Sequence, residues 1–238
     1  MTRCLRWTPA VLATVLLAVP SAMSNAETRS ATIGVAASIT PSAEGGMGTV
    51  FQTLAPGSEL HASETVRTGD AGKADLVFID RTNLTVGPTS EVVLDKFVYD
   101  PVGSSGKVVL QTTRGAFRFV TGTQDHSAYQ INNPYGSLGV RGTAFTCEVK
   151  PKGQKQQIQG CDIKCTVESG AVEATTSGGN KKTFTAGQTF CQSGENFSVA
   201  SAEGPHSVAS PSGGAPSGPG CTPRTIILPS GSKVTIPC

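Results

Sequence analysis

The sequence is short of the residues and patterns on which most catalytic machinery is built. Histidine occurs 3 times in 238 residues, tryptophan once, and aromatic residues make up 5% of the chain. No H-E-x-x-H, no phosphate-binding glycine loop and no dinucleotide fingerprint occurs, so the common metal-hydrolase and nucleotide routes have no foothold. No serine stands on a strand-to-helix elbow that would mark a hydrolase nucleophile. Gly45-Gly46-Met47-Gly48 lacks the following helix and lysine of a phosphate site and reads as a loop. The histidines are scattered: His61 stands alone, Gln124-Asp125-His126 reads as a polar turn, and His206 lies in a stretch of small residues. Asp75 and Asp80 fall on or near one strand end, and a glycosidase would need such a pair at a defined separation. The expectation is a non-enzyme with no catalytic, cofactor-binding or metal-ligating residues.

Charge of one sign is also lacking. The chain carries 19 basic and 17 acidic groups. Long hydrophobic runs are missing after the start, and the start itself reads as a leader. Arg3 and Arg6 form a positive segment, Ala10 to Val19 a short apolar run, and Ser24-Asn25-Ala26 a small-residue cleavage site. The run is about half of what a helix needs to cross a bilayer. Cys4 precedes it and so is not a lipid-bearing cysteine at a mature end. Residues 1–26 are therefore expected to be a signal peptide. Its removal takes two arginines and no acid, which leaves 17 basic groups against 17 acidic ones. A neutral mature chain has no field to steer nucleic acid or an anionic membrane. The mature protein is expected to be periplasmic or secreted, without a membrane span. Lys150, Lys152 and Lys155, and Lys181-Lys182, read as solvated turns.

Cysteine, by contrast, is present in a suggestive number. Without Cys4, six remain: Cys147, Cys161, Cys165, Cys191, Cys221 and Cys238. An even count in an oxidising compartment points to disulfides. The irregular spacings lack the tight pairs of a zinc site.

Helical periodicity is absent beyond the leader. Short β-branched and apolar runs recur instead, bounded by Gly, Pro, Asn, Asp or Ser. They cover residues 32–37, 73–79, 83–86, 92–99, 108–112, 116–120, 129–131, 144–149, 165–168, 171–175 and 189–191. Ala74, Leu76 and Phe78 alternate with Lys73, Asp75 and Val77, the pattern of a half-buried strand. Phe117 and Phe119 share one side, with Arg118 opposite. So many short strands with close turns predict an all-β sandwich, barrel or solenoid.

Residues 204–220 are rich in Gly, Pro, Ser and Ala and predict a flexible linker. Beyond it, two β-rich runs flank Pro229-Ser230-Gly231-Ser232, a hairpin signal. A lone hairpin is marginal in water. Cys221 and Cys238 stand at its open end, and joining them would contribute about 3 kcal/mol. The other four cysteines pair in one of three ways. An extended chain puts Cys161 out of reach of Cys165. Cys147 with Cys165, and Cys161 with Cys191, is the pairing taken here.

Several segments, in order, resemble the FecR domain. They are Leu60 with Thr65-Val66-Arg67-Thr68-Gly69; Ala74 to Asp80; Leu84-Thr85-Val86-Gly87; and Ser90 to Leu94. Next come Arg114-Gly115-Ala116-Phe117-Arg118-Phe119, then Asn133-Pro134 with Gly139-Val140-Arg141-Gly142-Thr143-Ala144-Phe145. Gly170 to Glu173 and Ala186-Gly187-Gln188 resemble the closing strands. The likeness spans about residues 32–195. Arg67, Gly69, Asp80, Gly115, Arg141, Gly142 and Thr143 fall on the motif positions. Two departures stand out: the family's D-G turn is Asp80-Arg81 here, and the segment around Cys161–Cys165 looks inserted.

The resemblance implies an elongated, solenoid-like or sandwich stack of strands over residues 27–203, with residues 221–238 as a separate hairpin. Members include the periplasmic part of anti-sigma regulators that relay iron-siderophore signals. Those regulators also have a cytoplasmic segment and a membrane helix. This chain reads as the stand-alone exported form. Arg141 is expected to be half buried, with Asp80 or Asp95 as its partner. The leading expectation is a non-catalytic binding or scaffold module whose partner is an envelope protein or glycan. The alternatives are a sensing component of iron-type surface signalling and an enzyme acting on envelope polysaccharide.

Overall fold

The computed structural model describes residues 31–100, 106–125, 127–154, 158, 160–200, 224–227 and 233–236. They contain 17 strands and no helix. The first eight are β1 (Thr32–Thr40), β2 (Ala43–Met47), β3 (Val50–Thr53), β4 (Glu59–His61), β5 (Thr65–Thr68), β6 (Lys73–Phe78), β7 (Asn83–Val86) and β8 (Glu91–Val98). Next come β9 (Lys107–Val120), β10 (Tyr129–Asn133), β11 (Gly136–Val149) and β12 (Ile163–Thr176). The series ends with β13 (Lys181–Thr185), β14 (Thr189–Ser193), β15 (Asn196–Ala200), β16 (Arg224–Ile227) and β17 (Lys233–Ile236). The fold is all-β, as expected. β1 to β15 form one open 15-stranded sheet, and β16 pairs with β17 as an antiparallel hairpin. Cys221 and Cys238 lie outside the described residues, as do residues 1–30 and the stretch read as a linker.

One sheet encloses a core because its long strands change neighbours halfway. β9, β11 and β12 each run 14 residues. Each has an internal glycine with positive φ: Gly115 at 93°, Gly142 at 57° and Gly170 at 72°. Before Gly115, β9 lies between β8 and β10; after it, between β7 and β11. β11 pairs with β10 up to Gly142 and with β9 beyond it. β12 pairs with β14 before Gly170 and with β13 after it. An L-residue is strained at such φ, so glycine is the residue that lets a strand turn a corner and join a second layer. From sequence, these glycines read as breaks that split β9 and β12 into two strands each. They are bends within continuous strands.

The alternation read in β6 is present, with Ala74, Leu76 and Phe78 buried. A single apolar cluster runs from Ile33 to Phe190. Aromatic pairs join its layers, including Phe78 on Phe97 and Phe184 on Phe190. Two disulfides stitch the late strands. Cys147 and Cys165 face each other in register across β11 and β12, and Cys161 is bonded to Cys191 of β14. Two local expectations are corrected. Gly45 to Met47 belong to β2 and only Gly48 turns, because paired backbone does not need side chains. Lys181 and Lys182 lie in β13, their charged ends in solvent, since an edge strand tolerates lysine.

Candidate partner-binding site

Among the motif residues, Gly115 and Gly142 are strand corners and Asp80 centres a buried polar knot. Asp80 is completely buried. Its Oδ1 accepts from the Thr82 N–H at 2.9 Å, and its Oδ2 accepts from Thr82 Oγ1 at 2.7 Å and Tyr129 OH at 2.9 Å. The Tyr129 oxygen in turn accepts from the Gln124 N–H at 3.1 Å. Burial, more than the neighbouring Asp80 charge, pushes the Tyr129 hydroxyl pKa up to about 12. Arg81 follows at φ +68°, the left-handed conformation for which the family's glycine is suited. Asp75, by contrast, accepts from Thr85 and pairs with Lys73, so the two carboxylates serve different networks.

Arg67 pairs with Glu91 at 3.0 Å and stacks over the Phe51 ring. Gly69 is an exposed turn residue whose carbonyl accepts from Gly72 and Thr89. A Cβ on Gly115 would lie 2.1 Å from Ser90 Oγ. Thr143 is buried, its hydroxyl bonded to the carbonyls of Arg141 and Ala171. Arg141 is exposed, contrary to expectation. Leu138 and Val140 take the inward positions of β11, which turns Arg141 to the opposite face. Asp80 is occupied by Tyr129 and Thr82, and Asp95 is exposed, so neither partners Arg141.

The surface with the clearest binding character is at the other end of the sheet. β2 and β3 form a hairpin, and among the described residues β3 pairs only with β2. Met47 and Val50 oppose each other across it and are 43% and 66% exposed, the two most exposed large apolar residues described. They rim a groove of about 380 Å³ that also includes Gly45, Leu54, Glu59, His61 and Glu64. Glu64 is buried at the groove floor, 6% exposed. Its Oε2 accepts from the His61 N–H at 2.9 Å. A side chain at position 45 would bring Cβ within 2.3 Å of Glu64 Oε1, so the glycine leaves the carboxylate its room. Burial pushes the Glu64 carboxyl above its ordinary range, against the pull of the His61 N–H and the His61 charge.

Nothing in the sequence marks this groove. Glu64 is a lone acid before a strand, and Gly45 signals a turn. Only the antiparallel register brings Gly45, Met47 and Val50 onto one face beside residues 58–64. An apolar rim over a buried carboxylate suits an extended segment carrying a basic side chain between apolar ones. Among the described residues no three His, Cys, Asp or Glu side chains group as a metal site. His126 and His206 lie outside the described residues.

Residues 64–173 match a protein-family model described as FecR protein. No curated protein matches the chain. Two crystal structures of a candidate anti-sigma factor from Parabacteroides distasonis ATCC 8503, at 2.50 and 1.65 Å resolution, superpose with a TM-score of 0.43. Identity is 9%, and the match covers 57% of this chain and 57% of that one.

Proposed function

From the premise that this chain carries a FecR domain at residues 64–173, we propose that it is a non-catalytic binding module of the bacterial cell envelope. The observation that carries this reading is the groove on the β2–β3 hairpin, where exposed Met47 and Val50 stand over the buried Glu64 carboxylate. Scattered exposed apolar residues are ordinary, but a cross-strand pair over a desolvated charge is a recognition arrangement. The partner is an envelope protein that supplies an extended segment with a lysine or arginine for Glu64. Two disulfides fit an oxidising compartment, and the leader-like start supports export. A sensing or regulatory role is the second reading, and membership of the FecR family favours it.

A photo-crosslinking residue at position 50 tests the proposal in envelope preparations. A discrete protein adduct is expected, and Met47→Asp or Glu64→Gln should abolish it without lowering Tm. The same probe at Arg118, on another part of the sheet, should trap nothing comparable. Equal adducts at both positions, or none at 50, would overturn the reading.

A further inference from the structure

The two disulfides lie on opposite sides of the sheet's wall. Across β12 and β14, Cys165 stands opposite Phe190, and Lys164 opposite Cys191. Cys147, Cys165 and Phe190 belong to the apolar cluster, and each is 1% exposed or less. One step along each strand turns a side chain to the other face. Cys191 and Lys164 accordingly point away from the cluster, and both are only partly buried. Cys191 and its bonded partner Cys161 line a surface hollow of about 210 Å³, together with Lys164, Ser198 and Val199. An ammonium group beside a sulfur favours the thiolate over the thiol, which helps the sulfur both to leave and to react again.

The chain around Cys161 is also held without the sulfur bond. The Asp162 N–H donates to the Gln192 carbonyl at 2.8 Å, and the Gly194 N–H donates to Asp162 Oδ2 at 2.9 Å. Ser193 Oγ donates to the Gly160 carbonyl at 2.8 Å, and Lys150 pairs with Asp162 at 2.7 Å. These contacts keep residues 160–162 against the end of β14 when the bond opens, so the two thiols stay close enough to close it again. An accessible disulfide that opens within a folded protein is placed for exchange, whereas one in the core is placed for stability.

We infer that Cys161–Cys191 is a thiol–disulfide exchange site that reacts with an external dithiol, with Lys164 assisting. A thiolate of the dithiol attacks Cys191 Sγ, the bond to Cys161 Sγ breaks, and Cys161 leaves as a thiolate and takes up a proton. The second thiol of the dithiol then attacks the mixed disulfide and releases Cys191. Two electrons and two protons pass to the cysteine pair, and the dithiol leaves as a disulfide. Neither this site nor the hairpin groove depends on the other.

Timed reduction of the native mature protein tests the inference, with dithiothreitol in one arm and reduced thioredoxin in the other. Samples are quenched in acid, alkylated and mapped by peptide mass. Cys161 and Cys191 should become labelled together, about tenfold or more faster than Cys147 and Cys165, while the circular-dichroism spectrum stays native. A faster rate per mole with thioredoxin assigns the site to a protein dithiol, and equal or slower reaction assigns it to a small one. Lys164→Gln should slow the exchange about threefold or more with Tm unchanged. Cys161→Ser with Cys191→Ser should keep the fold, with amide shifts confined to residues near 158–164 and 189–194. Release of both disulfides at one rate, release only on unfolding, or native exchange rates in Lys164→Gln would overturn the inference.

Discussion

At the residue scale, stability turns on positions where local backbone and buried polarity conflict with ordinary preference. Arg81 holds φ +68° with its side chain exposed. A left-handed L-residue costs about 1–2 kcal/mol, and glycine returns part of that through the freer unfolded chain. Arg81→Gly should therefore raise stability by about 0.5–1 kcal/mol in urea unfolding. Tyr129 makes the opposite point. Its hydroxyl both donates to Asp80 and accepts from Gln124, so Tyr129→Phe leaves a buried carboxylate short of a donor and should cost about 1–3 kcal/mol. The titration follows with a definite sign. A hydroxyl raised from 10 to about 12 in the folded state favours the folded protein while it stays protonated. That contribution is complete below pH 10 and is lost as pH rises through 12. Urea midpoints of the native protein should fall across that window, and those of Tyr129→Phe should fall less. The Asp80-Arg81 turn was legible as a departure from the family pattern. The Tyr129 partner was not, because 49 residues separate it from Asp80 and no local pattern links them.

At the scale of elements, glycines of similar appearance in sequence do different work. Gly170 lies at φ +72°, and a Cβ there would meet the Gly142 carbonyl oxygen at 2.2 Å. Gly69, a motif position on an exposed turn, has open space where a Cβ would go. Gly170→Ala should cost about 2–4 kcal/mol, from backbone strain together with overpacking. Gly69→Ala should stay within about 0.5 kcal/mol of the native protein. Thermal unfolding of the pair separates a corner from a turn. Strands with clean alternation, such as β6, were readable from residue type alone. The Gly-rich β2 and the lysine-bearing β13 were not, because their membership rests on pairing to neighbours. Arg141 was misplaced for a related reason: the face it takes is set by Leu138 and Val140 turning inward, which the pairing of β11 with its neighbours decides.

At the scale of the molecule, the corner glycines let one sheet cover itself, and the disulfides tie down its last third. Cys147 and Cys165 are each 1% exposed, so the bond they form is shielded from reductant. Closing an 18-residue loop contributes about 3 kcal/mol. Removing the pair as Cys147→Ala with Cys165→Ala should lower the urea midpoint accordingly. If the leader is cut after Ala26, intact mass of the exported protein should begin at Glu27. Thiol alkylation before reduction should then label none of the six remaining cysteines.

Sequence alone determined the class of the protein: short strands throughout, cysteines that pair across them, and an ordered series of FecR-like segments. Those features are local, since period-two alternation, turn residues and motif order are each readable within a few positions. Tertiary structure decided which glycines are corners, which face Arg141 occupies, and where Gly45, Met47 and Val50 meet Glu64. Strand register makes those choices, and it brings residues together across distances at which no local pattern survives.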